Sequence, residues 1–302
     1  MGPVTADLPL ATLQAGVLDP QGPVAAAQRL ILFNASVIMA AVIVPVILLT
    51  VGVAWWFRAG NRRARRRPDW AYSGPLEVVV WSVPLLVILF LGGIAWIGSH
   101  ALDPRRPLVS AQAPLEVEVV SLDWKWLFIL PGAGVASVNH LVVPVGRPLR
   151  LHLTSTTVMN SFLVPQLGGQ IYTMAGMTTE LNLQADRAGV YPGLSAQFSG
   201  DGFSDMRFEV EAVPARAFDD WVAATTAEGA ALDAEALRAL ERPGTTGRAR
   251  YRVTAPGLFE TLVRRPGHGA MPGMAEAAIC RSPAGAPNAP ASPILFTQTP
   301  SR

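Results

Sequence analysis

Few side chains in this sequence could bind a metal ion or act as a nucleophile. Only four of its 302 residues are histidine, and one, Cys280, is cysteine. His100 ends an apolar segment, His140 and His152 lie in alternating segments, and His268 lies near the C-terminus. Each histidine is isolated, so we expect structural or solvated roles for them. A single cysteine excludes an intrachain disulfide and a thiolate cluster.

Glu77 is the acidic residue whose position could carry chemistry. It lies in Pro75-Leu76-Glu77-Val78-Val79-Val80-Trp81, at the edge of a long uncharged run. A carboxylate at the edge of the hydrocarbon is unfavourable unless it contacts water or a partner, so it is a functional candidate. The alternative is an interfacial charge that balances nearby arginines. Asp219 and Asp220 are adjacent in a helical pattern, so they diverge and are expected to be solvated.

Two long uncharged runs predict a membrane protein. Residues 30–57 and 78–99 each exceed the roughly 20 residues needed to cross a hydrocarbon core. Half of all residues are hydrophobic and only 15% are charged, below the roughly 25% of soluble domains. We therefore expect a hairpin of two transmembrane helices. A helix buried in a soluble domain, the alternative, does not account for two such runs flanked by charge.

The loop between the spans, residues 58–77, predicts their orientation. It contains six arginines, opposed only by Asp69 and Glu77. Short arginine-rich loops stay cytoplasmic, so both termini and the chain after about residue 100 are predicted to be periplasmic, in a bacterial inner membrane. Residues 1–29 are predicted to form an N-terminal tail. The formal charge of +2 is too small to indicate a nucleic-acid partner.

Residues 104–213 alternate in short runs typical of half-buried strands. Examples are 115–120, 149–153, 179–183 and the shorter 206–210. Glycine and proline punctuate these runs. Several short strands over about 100 residues predict an antiparallel β-sandwich.

The pattern becomes helical over residues 214–265. Phe218, Trp221 and Val222 share one face, and Asp233 precedes a second apolar stripe as a candidate N-cap. We expect a helical extension that packs on the sandwich or on a partner. Residues 266–302 are mostly Pro, Ala, Gly and Ser and are predicted to be a disordered tail.

Particular segments resemble subunit II of the haem–copper oxidases. They are the aromatic segment Asp123–Ile129, the strand Val158–Pro165, the turn Gly169–Met177 and the loop Ser195–Met206. In that family the strand carries the first copper-ligating histidine, and the loop carries most other ligands. The similarity runs from about residue 17 to 265, through both spans. It implies that the exported domain is cupredoxin-like.

The copper-ligand positions of the family hold other side chains here. The two cysteine positions are Ser195 and Ser199, the acid between them is Gln197, the histidine positions are Asn160 and Phe203, and only Met206 is retained. A dinuclear copper centre requires bridging thiolates and imidazoles, so this chain is expected to bind no metal. The pattern of loss resembles the cytochrome bo-type ubiquinol oxidase branch, whose electron donor is dissolved in the bilayer.

The resemblance implies a non-redox subunit of a proton-pumping ubiquinol oxidase, inactive by itself. It implies subunits I, III and IV and membrane lipid as partners, with two haems and one copper held in subunit I. It places Glu77 at the entrance of a proton-uptake channel, and Trp124 and Trp126 as aromatic anchors that dock on subunit I. Two alternatives are a cupredoxin-like scaffold or binding module without an oxidase partner, and a copper-bearing cytochrome c oxidase subunit, which the missing cysteines disfavour.

Overall fold

Two long apolar helices form an antiparallel hairpin. The computed structural model describes residues 16–65 and 67–265. Helix α1 spans Pro23–Trp56 and helix α2 spans Gly74–Ala101, and they contain 18-residue stretches with mean hydropathy values of 2.8 and 2.5. A Cβ atom at Gly98 would lie 2.7 Å from Ile31 Cδ1, so glycine permits close approach of the two helices. By length and composition, both helices can cross a membrane.

Both helices begin earlier than predicted. The predicted spans began directly after the charged residues Arg29 and Glu77. In the structure, α1 starts at Pro23 and α2 starts at Gly74. Each has a proline in its first turn, where the missing N–H has no intrahelical partner. Residues 23–29 are therefore helix and not tail. Glu77 lies in the first turn of α2, where the helix dipole favours a carboxylate.

The region after the hairpin is a two-layer β-sandwich. One sheet has seven strands in the order β11-β12-β3-β2-β1-β5-β8, and the other has five in the order β4-β10-β9-β6-β7. The strands are β1 Leu115–Leu122, β2 Lys125–Leu130, β3 Val135–Val138, β4 His140–Pro144, β5 Leu149–Ser155, β6 Asn160–Leu163, β7 Gln170–Thr173, β8 Thr179–Leu183, β9 Gly189–Ser195, β10 Arg207–Val213, β11 Ala230–Leu232 and β12 Ala249–Val253.

The sandwich is mixed, whereas the sequence predicted an antiparallel one. Strand β1 runs parallel to β5, and β4 runs parallel to β10. Alternation indicates which face of a strand is buried but not the direction of its neighbour. Between the sheets lies a core that includes the aromatic rings of Trp126, Phe128, Phe162 and Phe208.

The C-terminal region contains the predicted helices together with two strands that the sequence did not predict. Helices α3 (Ala215–Glu228), α4 (Ala234–Glu241) and α5 (Leu258–Arg264) alternate with β11 and β12. Strand β12 pairs with β3, and this pairing adds β12 and β11 to the edge of the larger sheet. The outer face of that sheet forms a second core with α4 and α5, including Leu237 and Leu262. Residues 266–302 lie outside the described residues.

Two polar side chains fix the ends of α4. The Asp233 carboxylate accepts hydrogen bonds from the backbone N–H groups of Glu235 and Ala236, as its predicted capping role requires. Lys125 on β2 is only 3% exposed, and its ammonium donates to the carbonyls of Leu240 and Arg242, at 3.0 and 2.7 Å. Burial lowers the pKa of Lys125, while these carbonyls of the helix C-terminus favour its cation.

The segment that precedes α1 is packed on the sandwich. Gln21 N donates to Gln166 O and Asp186 N donates to Gln21 O, both at 2.8 Å. Ala25 is only 2% exposed, and a Cβ atom at Gly168 would lie 2.8 Å from its backbone nitrogen. The first turns of α1 therefore attach the sandwich to the hairpin. Residues 1–15 of the predicted tail lie outside the described residues.

Candidate functional site at the loop end of the sandwich

Four connections meet at one end of the sandwich, which we call the loop end. They are residues 123–124, 156–159, 174–178 and 196–206. Thr157 Oγ1 donates to Asp123 Oδ1 at 2.5 Å, and Ser155 forms a β-bridge with Ala175. The fold thereby brings together distant sequence segments. The copper-ligand positions singled out above lie in the connection 196–206 or, for Asn160 and Ser195, at the ends of the adjoining strands β6 and β9.

Asn160 and Ser195 are buried and hydrogen-bonded to each other. Ser195 Oγ donates to Asn160 Oδ1 at 3.1 Å. Asn160 Nδ2 donates to Ser121 Oγ at 2.6 Å and to the carbonyl of Val158 at 3.2 Å. Asn160 is 1% exposed, Ser195 3% and Ser121 0%. Together these bonds satisfy the amide group of Asn160, a position that the resemblance assigns to a copper-ligating histidine.

Ser199 and Met206 form the second half of the same cluster. Ser199 Oγ lies 3.9 Å from Met206 Sδ, and the Ser199 carbonyl accepts a bond of 3.1 Å from the indole Nε1 of Trp124. Met206 is 1% exposed and belongs to the core between the sheets. Its thioether is therefore part of the hydrophobic packing.

Gln197 and Phe203 contribute no buried polar group to the cluster. The backbone carbonyl of Gln197 accepts a bond from Ser195 Oγ at 3.3 Å. Phe203 lies in a short 3-10 turn, and its ring packs edge-on against Phe198 at 5.7 Å. The ring of Phe203, paired with that of Phe198, thus occupies the position that the resemblance assigns to a second histidine ligand.

The side chains at the loop end do not fit a dinuclear copper centre. Copper centres of this kind use thiolate and imidazole donors, whereas the cluster offers an amide, two hydroxyls and one thioether. The amide and one hydroxyl are already engaged in bonds to each other. Within residues 16–65 and 67–265, no group of three or more His, Cys, Asp or Glu side chains is arranged to hold a metal ion.

The described histidines lie outside this cluster, and each contacts a nearby polar group. His140 Nε2 is 2.9 Å from Glu211 Oε2, and His152 Nε2 is 3.0 Å from Glu116 Oε2. His100 Nδ1 lies 2.8 Å from the Trp96 carbonyl near the end of α2. His268 lies outside the described residues. The structure does not bring the three described histidines together.

A second cluster of titratable groups covers the outer face of β1. Glu116, Glu118, His152, Glu260 and Arg264 line a cleft between β1, β5 and helix α5. Burial raises the pKa of Glu118 to about 7, and the Glu260 carboxylate adds to this effect. A half-buried carboxyl beside a second carboxylate favours its neutral form. Sequence reasoning missed this cluster, because alternation alone predicts that Glu118 faces solvent.

Comparison with known proteins places this arrangement in a family. The family model for the cytochrome c oxidase subunit II periplasmic domain matches residues 133–213. Ubiquinol oxidase subunit 2 of Acetobacter aceti is 43% identical over 272 residues, covering 89% of this chain and 88% of the relative. Cytochrome bo(3) ubiquinol oxidase subunit 2 of Pseudomonas aeruginosa is 43% identical over 253 residues, covering 83% of this chain and 76% of the relative.

The chain belongs to the ubiquinol oxidase subunit 2 family. The resemblance seen in the sequence is therefore confirmed, as is the architecture of two apolar helices, a cupredoxin-like sandwich and a C-terminal part that contains helices.

Trp126 of this ubiquinol oxidase subunit 2 homologue was predicted to dock on a partner subunit, but it is buried. Trp126 is 0% exposed and packs against Phe162 and Phe208, so it cannot anchor a partner. The two tryptophans separate because Trp124 ends the tight turn before β2, with a positive φ of 64°. Trp124 remains half-buried beside Gly200 and Gly202.

The loop end also exposes apolar side chains that sequence reasoning did not single out. Phe198 is 72% exposed, and Val158, Met159 and Met177 are between 41% and 45% exposed. These four residues, which we call the apolar rim, lie on three of the four connections at the loop end. The signal in the sequence was a large apolar residue in each of three polar or glycine-rich turns. Such a concentration of exposed apolar groups is typical of an interaction surface.

Proposed function

We propose that this chain is the non-redox subunit II of a proton-pumping ubiquinol oxidase. In this proposal the complex oxidises ubiquinol, reduces oxygen to water and moves protons outward. Two haems and one copper lie in subunit I, and subunits III and IV complete the assembly. The single observation that supports a non-redox role is the hydrogen-bonded loop end, where an amide and hydroxyls occupy the positions of copper ligands.

The chemistry of the donor accounts for this loop end. A soluble electron donor docks outside the membrane, so its electrons need a relay in the exported domain. Ubiquinol is dissolved in the bilayer and can transfer electrons directly to a haem in the membrane subunit. A relay then has no role, and the sandwich can keep its shape while its ligands are replaced.

The apolar rim and Trp124 are the proposed docking surface for subunit I. Phe198 and Phe203 contact each other at the surface, and the buried Asn160–Ser195 bond holds the strands beneath them. Apolar anchors on a rigid base are typical of stable interfaces, because little side-chain freedom is lost on binding. The exported domain would thus act as a structural clamp.

The proposed orientation puts the arginine-rich connection between α1 and α2 in the cytoplasm and both termini in the periplasm. Glu77, in the first turn of α2, then stands at the cytoplasmic edge of the membrane. Its side chain is exposed in the isolated chain, as a residue that meets a partner subunit would be. We assign it to the entrance of a proton-uptake channel formed with subunit I.

The choice of electron donor is tested on the purified complex. A complex isolated through a tag on this chain is expected to oxidise ubiquinol faster than reduced cytochrome c, with two haems and one copper in total. A cytochrome c rate above the ubiquinol rate would contradict the proposal. So would two additional coppers that remain bound to this chain after the subunits are separated.

The role of Glu77 is tested by Glu77→Gln, which keeps the shape of the side chain and removes its charge. Ubiquinol turnover is expected to fall several-fold with unchanged haem content, because proton delivery becomes limiting. Asp69→Asn is the matched control, since it removes one negative charge from the loop that precedes α2. Equal turnover in the Glu77→Gln variant and the wild type would remove Glu77 from the proton path.

A further inference from the structure

The loop that joins the two membrane helices carries a strong and unbalanced positive charge. Between Trp56, which ends α1, and Gly74, which begins α2, the sequence has six arginines and one acidic residue, Asp69, a net charge of +5. Five of these arginines, those at positions 58, 62, 63, 65 and 67, are described, and all are exposed. We call these five residues the arginine loop.

The described arginines of this loop form no ion pair with any residue in the described ranges 16–65 and 67–265. Among residues 16–65 and 67–265, the ion pairs join other residues, all in the exported domain. Arg58 instead donates to the Trp55 carbonyl at 3.4 Å, and its guanidinium lies 4.8 Å from the centre of the Trp55 ring. The guanidinium donors of the other four described arginines therefore face outward from the loop.

Aromatic side chains set the depth of the loop relative to the bilayer. Trp55 and Trp56 end α1, Trp70 and Tyr72 precede α2, and all four are between 48% and 71% exposed. Tryptophan and tyrosine concentrate at the level of lipid headgroups. The guanidinium groups between them consequently lie at the height of the headgroup phosphates, whichever leaflet the loop faces.

We propose that the arginine loop is a binding surface for anionic phospholipid headgroups. Guanidinium groups bind phosphate oxygens through paired N–H donors, and they are more weakly hydrated than ammonium groups. Binding supplies negative charge to a loop whose own sequence has a net charge of +5. This proposal needs only the helical hairpin in a bilayer and does not depend on the oxidase function.

Tryptophan fluorescence quenching by brominated lipids tests the proposal on the full-length chain. The chain is reconstituted in bilayers that mix phosphatidylcholine with brominated phosphatidylglycerol, or with brominated phosphatidylcholine, and the relative association constants are compared. A preference of at least about fivefold for phosphatidylglycerol is expected, because even a single basic residue near an anionic surface contributes about 1 kcal/mol. It should weaken at high salt.

Three variants separate lipid binding from other effects of charge. Replacing Arg62, Arg63 and Arg65 by glutamine removes half of the six arginines of the loop and should lower the ratio to less than half of the wild-type value. Replacing Arg216, Arg238 and Arg264 by glutamine removes the same charge from exposed positions of the exported domain and should leave the ratio unchanged. A lysine version of the loop variant keeps the positive-inside signal, and it should retain most of the preference.

Three outcomes would overturn the proposal. The first is a ratio near one for the wild-type chain. The second is an unchanged preference in the glutamine loop variant, with the exported domain still on its normal side by protease access in sealed vesicles. The third is loss of the preference on addition of inorganic phosphate at constant ionic strength, which would identify a site for free phosphate. If the glutamine variant inserts in the inverted orientation, the proposal is judged on the wild-type ratio alone, and a ratio near one overturns it.

Discussion

Replacing Glu118 by glutamine should stabilise the protein at neutral and alkaline pH. Burial and the Glu260 carboxylate raise the pKa of Glu118 from 4.5 to about 7 in the folded chain. Between these two values the folded state holds a proton that the unfolded state has released. The wild-type contribution of this group to stability is therefore full below pH 4.5 and is lost as the pH rises to about 7. Glutamine is neutral at every pH, so the Glu118→Gln variant does not lose this contribution as the pH rises.

The size of the effect follows from the pKa interval. The interval from 4.5 to about 7 corresponds to at most about 3.4 kcal/mol, at about 1.36 kcal/mol per pH unit. Glu118 is only half-buried, so screening by solvent reduces this to about 1–2 kcal/mol. The Glu118→Gln variant should thus exceed the wild type in unfolding free energy by about 1–2 kcal/mol at pH 8, and should match it near pH 4.

Thermal unfolding of the full-length chain in detergent, followed by tryptophan fluorescence from pH 4 to pH 8, measures this difference. About 2–4 °C in Tm is expected for each kcal/mol. Glu116→Gln is the matched control on the same strand. Glu116 accepts bonds from Arg150 at 3.2 Å and from His152 at 3.0 Å, so its replacement should lower Tm. A Tm difference for Glu118→Gln that is the same at both pH values would refute the reasoning.

Two further substitutions test the packing that positions the loop end and the sandwich. Asn160→Ala removes the partner of two buried hydroxyls, those of Ser121 and Ser195, and should lower the unfolding free energy by about 3 kcal/mol, measured by denaturant titration. Gly168→Ala places a Cβ atom 2.8 Å from Ala25 N at a φ of +91°. It should cost about 1–2 kcal/mol from the backbone conformation alone and expose the segment before α1 to limited proteolysis.

For each of these two substitutions, one result would contradict the prediction. An Asn160→Ala chain as stable as the wild type would mean that the buried hydroxyls find other partners. Gly132→Ala is the control for Gly168→Ala, since the space around Gly132 is open and no loss of stability is expected there. Equal protease resistance of the Gly168→Ala chain and the wild type would show that α1 and the sandwich are not attached through this contact.

The sequence by itself determined the features that depend on composition along a continuous stretch. Two uncharged runs and an arginine-rich loop predicted the hairpin, because the energy of burying a helix in lipid is a sum over its own residues. Alternation located four strands, including Thr179–Leu183, which is β8 of the structure. The identity of each copper-ligand position, such as serine at 195, followed directly from aligned motifs.

The tertiary structure alone decided which of these residues meet and which are buried. Trp124 and Trp126 are two residues apart, yet one is half-buried at the loop end and the other fills the core, because a tight turn separates them. Strands β11 and β12 were read as part of a helical extension, because β12 pairs with β3, which lies more than 110 residues earlier in the chain, and β11 pairs with β12. Sheet pairing, the raised pKa of Glu118 and the apolar rim all arise from contacts between distant segments, and a local pattern carries no information about such contacts.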